Sequence, residues 1–304
     1  VSVVEDEALL DFTTLTVCDG LTFENNTFRG GSAGVYMNGS HTEVQFIGNE
    51  FVNNHRWGLY MNGPDSAIIR GNIITNSTTT TPLYQGVFTF SAFGGVFENN
   101  YLYTEVRAEG FHLEDFSNAA NPGRIVNNSA TVGQNNSPNE SRAFDISFTD
   151  EAEIYHNSAL VIGSTDPEGT AIFMDPTNDN CIFENNVAVN TGTAGTAVRF
   201  GDAATTASSD YNVYSAPNTD LAHYDGTNYD LAGLQGANAD DANSINVSPN
   251  FVGVDSLIPT NPAVQLANPI ASVTTDLLGD SRDAATPSAG AFEYRFVPGL
   301  DLEL

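Results

Sequence analysis

One short phrase returns seven times along this chain and leaves few folds open to it. It is clearest at Phe23-Glu24-Asn25-Asn26, Phe97-Glu98-Asn99-Asn100 and Phe183-Glu184-Asn185-Asn186, with looser copies at Phe46–Asn49, Ile69–Asn72, Ile125–Asn128 and Ile154–Asn157. The closing Asn falls at 26, 49, 72, 100, 128, 157 and 186, so the steps are 23, 23, 28, 28, 29 and 29 residues. Self-similarity at that period, built from short apolar runs with Gly and Asn between them, specifies a solenoid. The apolar opener of each copy must face a closed stack. The Asn stands where the chain turns, bonds nearby backbone and tolerates left-handed dihedrals. Stacked in register, identical Asn side chains bond to one another along the axis.

A second family of segments lies between the Asn turns. It runs Val35-Tyr36-Met37, Leu59-Tyr60-Met61, Val87-Phe88-Thr89, Phe111-His112-Leu113, Phe144-Asp145-Ile146, Ile172-Phe173-Met174 and Val198-Arg199-Phe200. Strand side chains alternate faces. The outward column is therefore Tyr36, Tyr60, Phe88, His112, Asp145, Phe173 and Arg199. Asn38, Asn62, Phe90, Glu114, Ser147 and Asp175 form a second outward column. Long loops are expected at 75–85, 129–142 and 158–170, where insertions build a binding face. The coils occupy 1–204. Residues 205–304 hold the last coil and an irregular C-terminal cap, with one or two helical turns at Asp230–Gln235 and a last strand at Gly290–Tyr294.

Charge narrows the partners. Nine Arg, no Lys and 38 acidic residues give a net charge of −29. Phosphate recognition needs clustered cations, so nucleic acid is excluded as a partner. The whole-molecule field also disfavours anionic polysaccharide at long range. Such a surface suits high salt, where self-repulsion is screened, or calcium-rich water. No apolar run reaches the roughly 18 residues of a transmembrane helix. A first residue of Val rather than Met suggests a removed leader peptide and an extracellular or cell-surface location. Seven Asn-x-Ser/Thr sequons, at Asn25, Asn38, Asn76, Asn127, Asn135, Asn139 and Asn246, are glycosylation candidates. Cys18 and Cys181 fall six coils apart, roughly 29 Å at the usual strand spacing. No disulfide joins them at that distance, and Cys181 reads as a small core residue.

The coils, Asp210-Tyr211-Asn212-Val213-Tyr214, Ser248-Pro249-Asn250-Phe251 and the ending Asp276–Arg282 followed by Gly290–Tyr294 resemble secreted right-handed parallel β-helix proteins of the pectate-lyase-like kind. The ending is similar to the C-terminal signature of anchored surface β-helix proteins. The resemblance implies an all-β fold, a right-handed parallel β-helix of about eight coils. It spans polysaccharide lyases, hydrolases, epimerases and non-catalytic surface proteins. Lyases of the chondroitinase and alginate-lyase type use a Lys base with an Arg nearby, and this chain has no Lys.

Two functions follow as expectations. One is a non-catalytic surface protein that self-associates, as a filament or coat subunit, or contacts cell-surface glycans. Its sugar-stacking aromatics are Tyr36, Tyr60, Phe88 and Phe173. The other is a polysaccharide lyase or glycoside hydrolase, with His112, Asp145, Glu114 and Arg199 as the acid–base and uronate-neutralising set. Carboxylates at Asp175 and Asp179 are candidate calcium ligands.

Overall fold

The computed structural model describes residues 8–13, 17, 19–78, 83–133, 141–217 and 219–295. Each repeat is one coil with three short parallel strands. The first sheet has eight strands, from Thr22–Glu24 to Thr206–Asp210, one per coil. Its inward column is Phe23, Phe46, Ile69, Phe97, Ile125, Ile154 and Phe183. The second sheet follows the Asn turn and starts at Thr27–Arg29. The third runs from Leu10–Asp11 through Ala33–Asn38 to Ala222–Tyr224 and carries the outward columns. Aromatic openers stack coil on coil, as Phe23 on Phe46 at 4.9 Å between ring centroids.

The Asn column forms a continuous ladder. In each coil the backbone N–H and the side-chain amide of one Asn donate to Oδ1 of the next: Asn100 to Asn128 at 2.9 and 3.0 Å, Asn128 to Asn157 at 3.0 and 3.0 Å. The same amide donates to the carbonyl of the preceding coil's opener, as Asn128 Nδ2 to Phe97 O at 2.9 Å. Buried polar groups are thus satisfied in both directions along the axis. The left-handed residue is not the ladder Asn but the one before it: Asn25, Gly48, Gly71, Asn99, Asn127, His156, Asn185 and Tyr211 all have φ between 55° and 66° except His156 at 54°. An eighth rung, Asn212, ends the ladder. Its N–H donates to Ser244 Oγ at 2.9 Å, and Ser244 in turn donates to buried Asp241 at 2.6 Å.

Two expectations change. Residues 129–133 and 158–162 are strands of the second sheet, Ser129–Gly133 and Ser158–Ile162, rather than loop. Their inward residues are Ala130 and Val132, and Ala159 and Val161, with Ala at the position where earlier coils carry Phe51, Ile74 and Leu102. Gly290–Tyr294 is not a strand. The last coil is closed by a helix, Leu231–Asn238, whose N-cap Asp230 accepts from Gly233 N–H and whose Leu234 is buried. Beside it, Ala222–Tyr224 pairs antiparallel with Thr227–Tyr229.

The C-terminal segment forms a strap laid over the outside of the second sheet. The outward column there is polar in coils one and two, with Thr27 and Glu50. It continues as Ile73, Tyr101, Ser129, Ser158, Val187, Val213 and Ile245. Leu257, Val264, Ala267, Ala289, Ala291 and Phe292 bury themselves against Leu160, Val187, Val189 and Val213. The left-handed turn residues are the anchors. Asn127 Nδ2 donates to Thr275 O at 2.8 Å, and Asn185 exchanges bonds with Asn268 at 2.8 and 3.0 Å. Buried Arg282 donates to Asn127 Oδ1 at 2.7 Å, Gly290 O at 2.9 Å and Glu293 at 3.0 Å. Asp276 holds the turn beneath it by accepting from Leu278 and Asp280 N–H, both at 2.9 Å.

Cys181 is buried in the main core as expected, its thiol pushed up to about 12 by burial; Cys18 lies outside the described residues.

Candidate functional site

The outer face of the third sheet carries the site candidates. Its register aligns Tyr36, Tyr60, Phe88, His112, Asp145, Phe173, Arg199 and, one coil further, His223. Parallel to this row runs another: Ala33, Trp57, Gln85, Glu109, Arg142, Thr170 and Thr196. Each member of this other row stands just before the Gly or Ala at the sheet corner. A side chain does not fit at the first of these corners: a Cβ on Gly34 would sit 2.6 Å from the backbone oxygen of Gly58 and 2.8 Å from Phe51 Cδ1.

The two rows meet along one hydrogen-bonded chain. Trp57 Nε1 donates to Gln85 Oε1 at 2.7 Å, and Gln85 Nε2 donates to Glu109 Oε2 at 2.7 Å. His112 Nδ1 lies 2.8 Å from the same Glu109 oxygen and 4.0 Å from Asp145 Oδ2. Its Nε2 lies 3.5 Å from Glu114 Oε2. Arg142 Nη1 donates to Asp145 Oδ2 at 2.6 Å while its guanidinium covers the ring of Phe173 at 3.7 Å. Arg199 approaches the same ring at 5.6 Å and is paired with Glu168.

Electrostatics set the charge states. Burial works against a charged His112, but the Glu109 hydrogen bond and the Asp145, Glu109 and Glu114 carboxylates outweigh it and raise its pKa. Burial likewise works against charged Glu109, yet bonds from His112 and Gln85 and the Arg142 charge hold it below the ordinary value. Asp145 is pushed up, by burial first, against the pull of His112 and Arg142. Burial is also the first cause of the raised Glu114. The surrounding carboxyl groups thus favour the charged form of His112.

His112, Asp145 and Glu114 come together as the sequence suggests, and Arg199 stands two coils away from Asp145 in the same column. Glu109, Gln85 and Trp57 join them and were not read from the sequence. Tyr36 and Tyr60 stack face to face at 4.3 Å, Tyr60 and Phe88 at 5.1 Å. Phe173 is faced by two guanidinium groups. These aromatics therefore present edges rather than open faces to anything outside.

Asp175 and Asp179 do not converge. Asp175 Oδ1 accepts from Thr177 N–H and Oγ1 at 2.9 and 2.7 Å, closing a turn, and Asp179 is exposed. Among the described residues the group that could hold a metal is Glu109, His112 and Asp145. One nitrogen donor, with a guanidinium 2.6 Å from Asp145, does not fit calcium, which wants six to eight oxygens.

Of the sequons, Asn25, Asn38 and Asn246 are exposed. Asn76 and Asn127 are buried, and their amides already donate to Asn54 O and Thr275 O, so the folded protein closes both to glycosylation. Asn135 and Asn139 lie outside the described residues.

Residues 14–235 match a family model described as right handed beta helix region. No curated protein matches the chain. No helix among the described residues is long and apolar enough to cross a membrane.

Proposed function

The chain belongs to the right-handed β-helix family, and we propose that within it this protein is a non-catalytic surface protein, exported from the cell, whose third-sheet face contacts glycans. The observation that carries this reading is the saturation of the charged row. The charged form of His112 is favoured by Glu109, Asp145 and Glu114 around it; Arg142 is bound to Asp145, and Arg199 to Glu168. A lyase needs an unprotonated base and a cation turned to the uronate. Here both roles are spent on the protein's own groups. The net charge of −29 favours neutral over anionic glycans.

Self-association ranks second among non-catalytic roles. The edge of the last coil, where another copy's strands would add, is already occupied by the antiparallel hairpin and the helix.

The test is retention on a panel of immobilised neutral and uronate polysaccharides, with product release followed in the same samples. Retention of neutral glycans without new reducing ends or unsaturated product is expected. Retention of none would sink glycan contact, and turnover would sink the non-catalytic part.

A cleaving enzyme is the second reading, favoured by Glu114. Its carboxyl is raised by burial and lies 3.5 Å from His112 Nε2. A protonated carboxyl is what departure of a glycosidic oxygen requires. Any hydrolysis found should then vanish in Glu114→Gln; hydrolysis surviving that change dismisses the assignment.

A further inference from the structure

The outward column does not stop at Arg199. Beyond it the last coil adds His223, and between them opens a cleft of about 390 Å³ lined by Pro167, Glu168, Thr196, Arg199, Thr227 and Asn228 together with His223. We propose that this cleft is a subsite for one neutral sugar residue, read through its vicinal hydroxyls. The proposal rests on the glycan-contact reading above and gives it a place and a ligand class.

Three features point to hydroxyl recognition. A vicinal diol needs a donor and an acceptor side by side, because each hydroxyl both gives and receives. The paired Arg199 and Glu168 supply that juxtaposition: a guanidinium fork that only donates next to a carboxylate that only accepts. Glu168 is half open to solvent, belongs to the loop preceding the Thr170–Met174 strand, and lines the cleft.

His223 is oriented by a relay of its own. Asn228 Nδ2 donates to Asp220 Oδ2 at 3.1 Å, which fixes which end of the amide is oxygen. Asn228 Oδ1 then accepts from His223 Nδ1–H at 2.7 Å. In the neutral imidazole this leaves Nε2 as an acceptor. Thr196 and Thr227 add hydroxyls, and Pro167 adds an apolar edge for a sugar's C–H groups.

Size and charge agree with the ligand class. The volume lies at the lower end of small-ligand sites. A sugar acid would bring its carboxylate against Glu168 in a molecule of charge −29. The cleft also terminates the row whose earlier members are stacked or ion-paired, so it is the place along the column where polar groups surround open volume.

The experiment is saturation-transfer NMR and calorimetry of the whole chain with methyl glycosides of glucose, galactose, mannose and N-acetylglucosamine, and with methyl glucuronide. At least one neutral glycoside is expected to bind more tightly than the glucuronide. Glu168→Gln and Asn228→Ala should each weaken it by about tenfold with the unfolding midpoint unchanged, the scale of a lost charged or orienting hydrogen bond. Undiminished affinity in both variants overturns the cleft while leaving glycan contact elsewhere standing. Tighter binding of the glucuronide overturns the neutral class. Absence of binding to any sugar, together with no retention on polysaccharides, removes both readings.

Discussion

The two flanks of each coil are finished in different ways. On the strapped flank, the Asn turns and second sheet are closed by neutral hydrogen bonds, apolar contact and one buried cation, Arg282. On the opposite flank, the third sheet is closed by stacked rings and an ion network centred on His112. Both leave little of the coil exposed. The first repeats one residue, and the second changes chemistry at every coil from Phe88 onward. Repetition yields a scaffold whose rungs are interchangeable, whereas a changing row yields positions with individual charge states.

That contrast can be broken at its strongest point first. Asn128→Ala removes two donated and two accepted bonds at a fully buried rung. A loss of about 4 kcal/mol is expected from four such bonds and the groups left unpaired, read as the shift in denaturant midpoint. Loss under about 1 kcal/mol would show that the ladder is decorative.

Arg282→Ala comes next. It strands Glu293, Asn127 Oδ1 and the Gly290 carbonyl beneath the strap. Breaking a buried pair costs about 3 kcal/mol or more. Hydrogen exchange should rise across 262–292 while amides of coils one to three stay protected. Uniform loss of protection would mean that strap and coils are one cooperative unit.

Two histidines sharpen the comparison through pH. Buried His156 accepts at Nε2 from Asn185 at 3.0 Å and faces Ser288 O and Arg282; burial and that cation hold its pKa well below 6.5. Both states are neutral above 6.5. Below it the unfolded chain takes a proton that the folded one refuses, so stability falls as pH falls. His112 is the opposite case: its folded pKa is raised, so its contribution is present below 6.5 and disappears as pH rises through the folded value. Each proton changes the slope by at most about 1.4 kcal/mol per pH unit. His156→Gln should flatten the acid limb and His112→Gln the alkaline one. An acid limb unchanged in His156→Gln would clear the strap of any part in acid sensitivity. Smallest of all, Tyr60→Leu should cost about 1 kcal/mol through its two stacks.

Much of the scaffold was legible because a period repeats the same residue. The ladder, the inward pairs and the outward column follow from Asn, Phe and Tyr recurring at fixed offsets. Ser129–Gly133 and Ser158–Ile162 hid as loops because Ala replaces the large inward residue. The strap was unreadable for another reason: Arg282 meets Asn127 across 155 residues, with no period to announce it. Glu109, Gln85 and Trp57 escaped because their row has no recurring chemistry, although each precedes a corner Gly. His223 escaped because the coil phrase fades before it.

The strap also fixes a length. Its anchors at Tyr101, Asn127, His156 and Asn185 fall on four successive coils, spaced by about 4.8 Å per coil. Deleting one coil inside that span would put every later anchor out of step. Among the described residues coils one and two make no such bonds, so a lineage can lengthen or shorten the rod there, one rung at a time, without disturbing either the brace or the sugar-sized cleft at the far end.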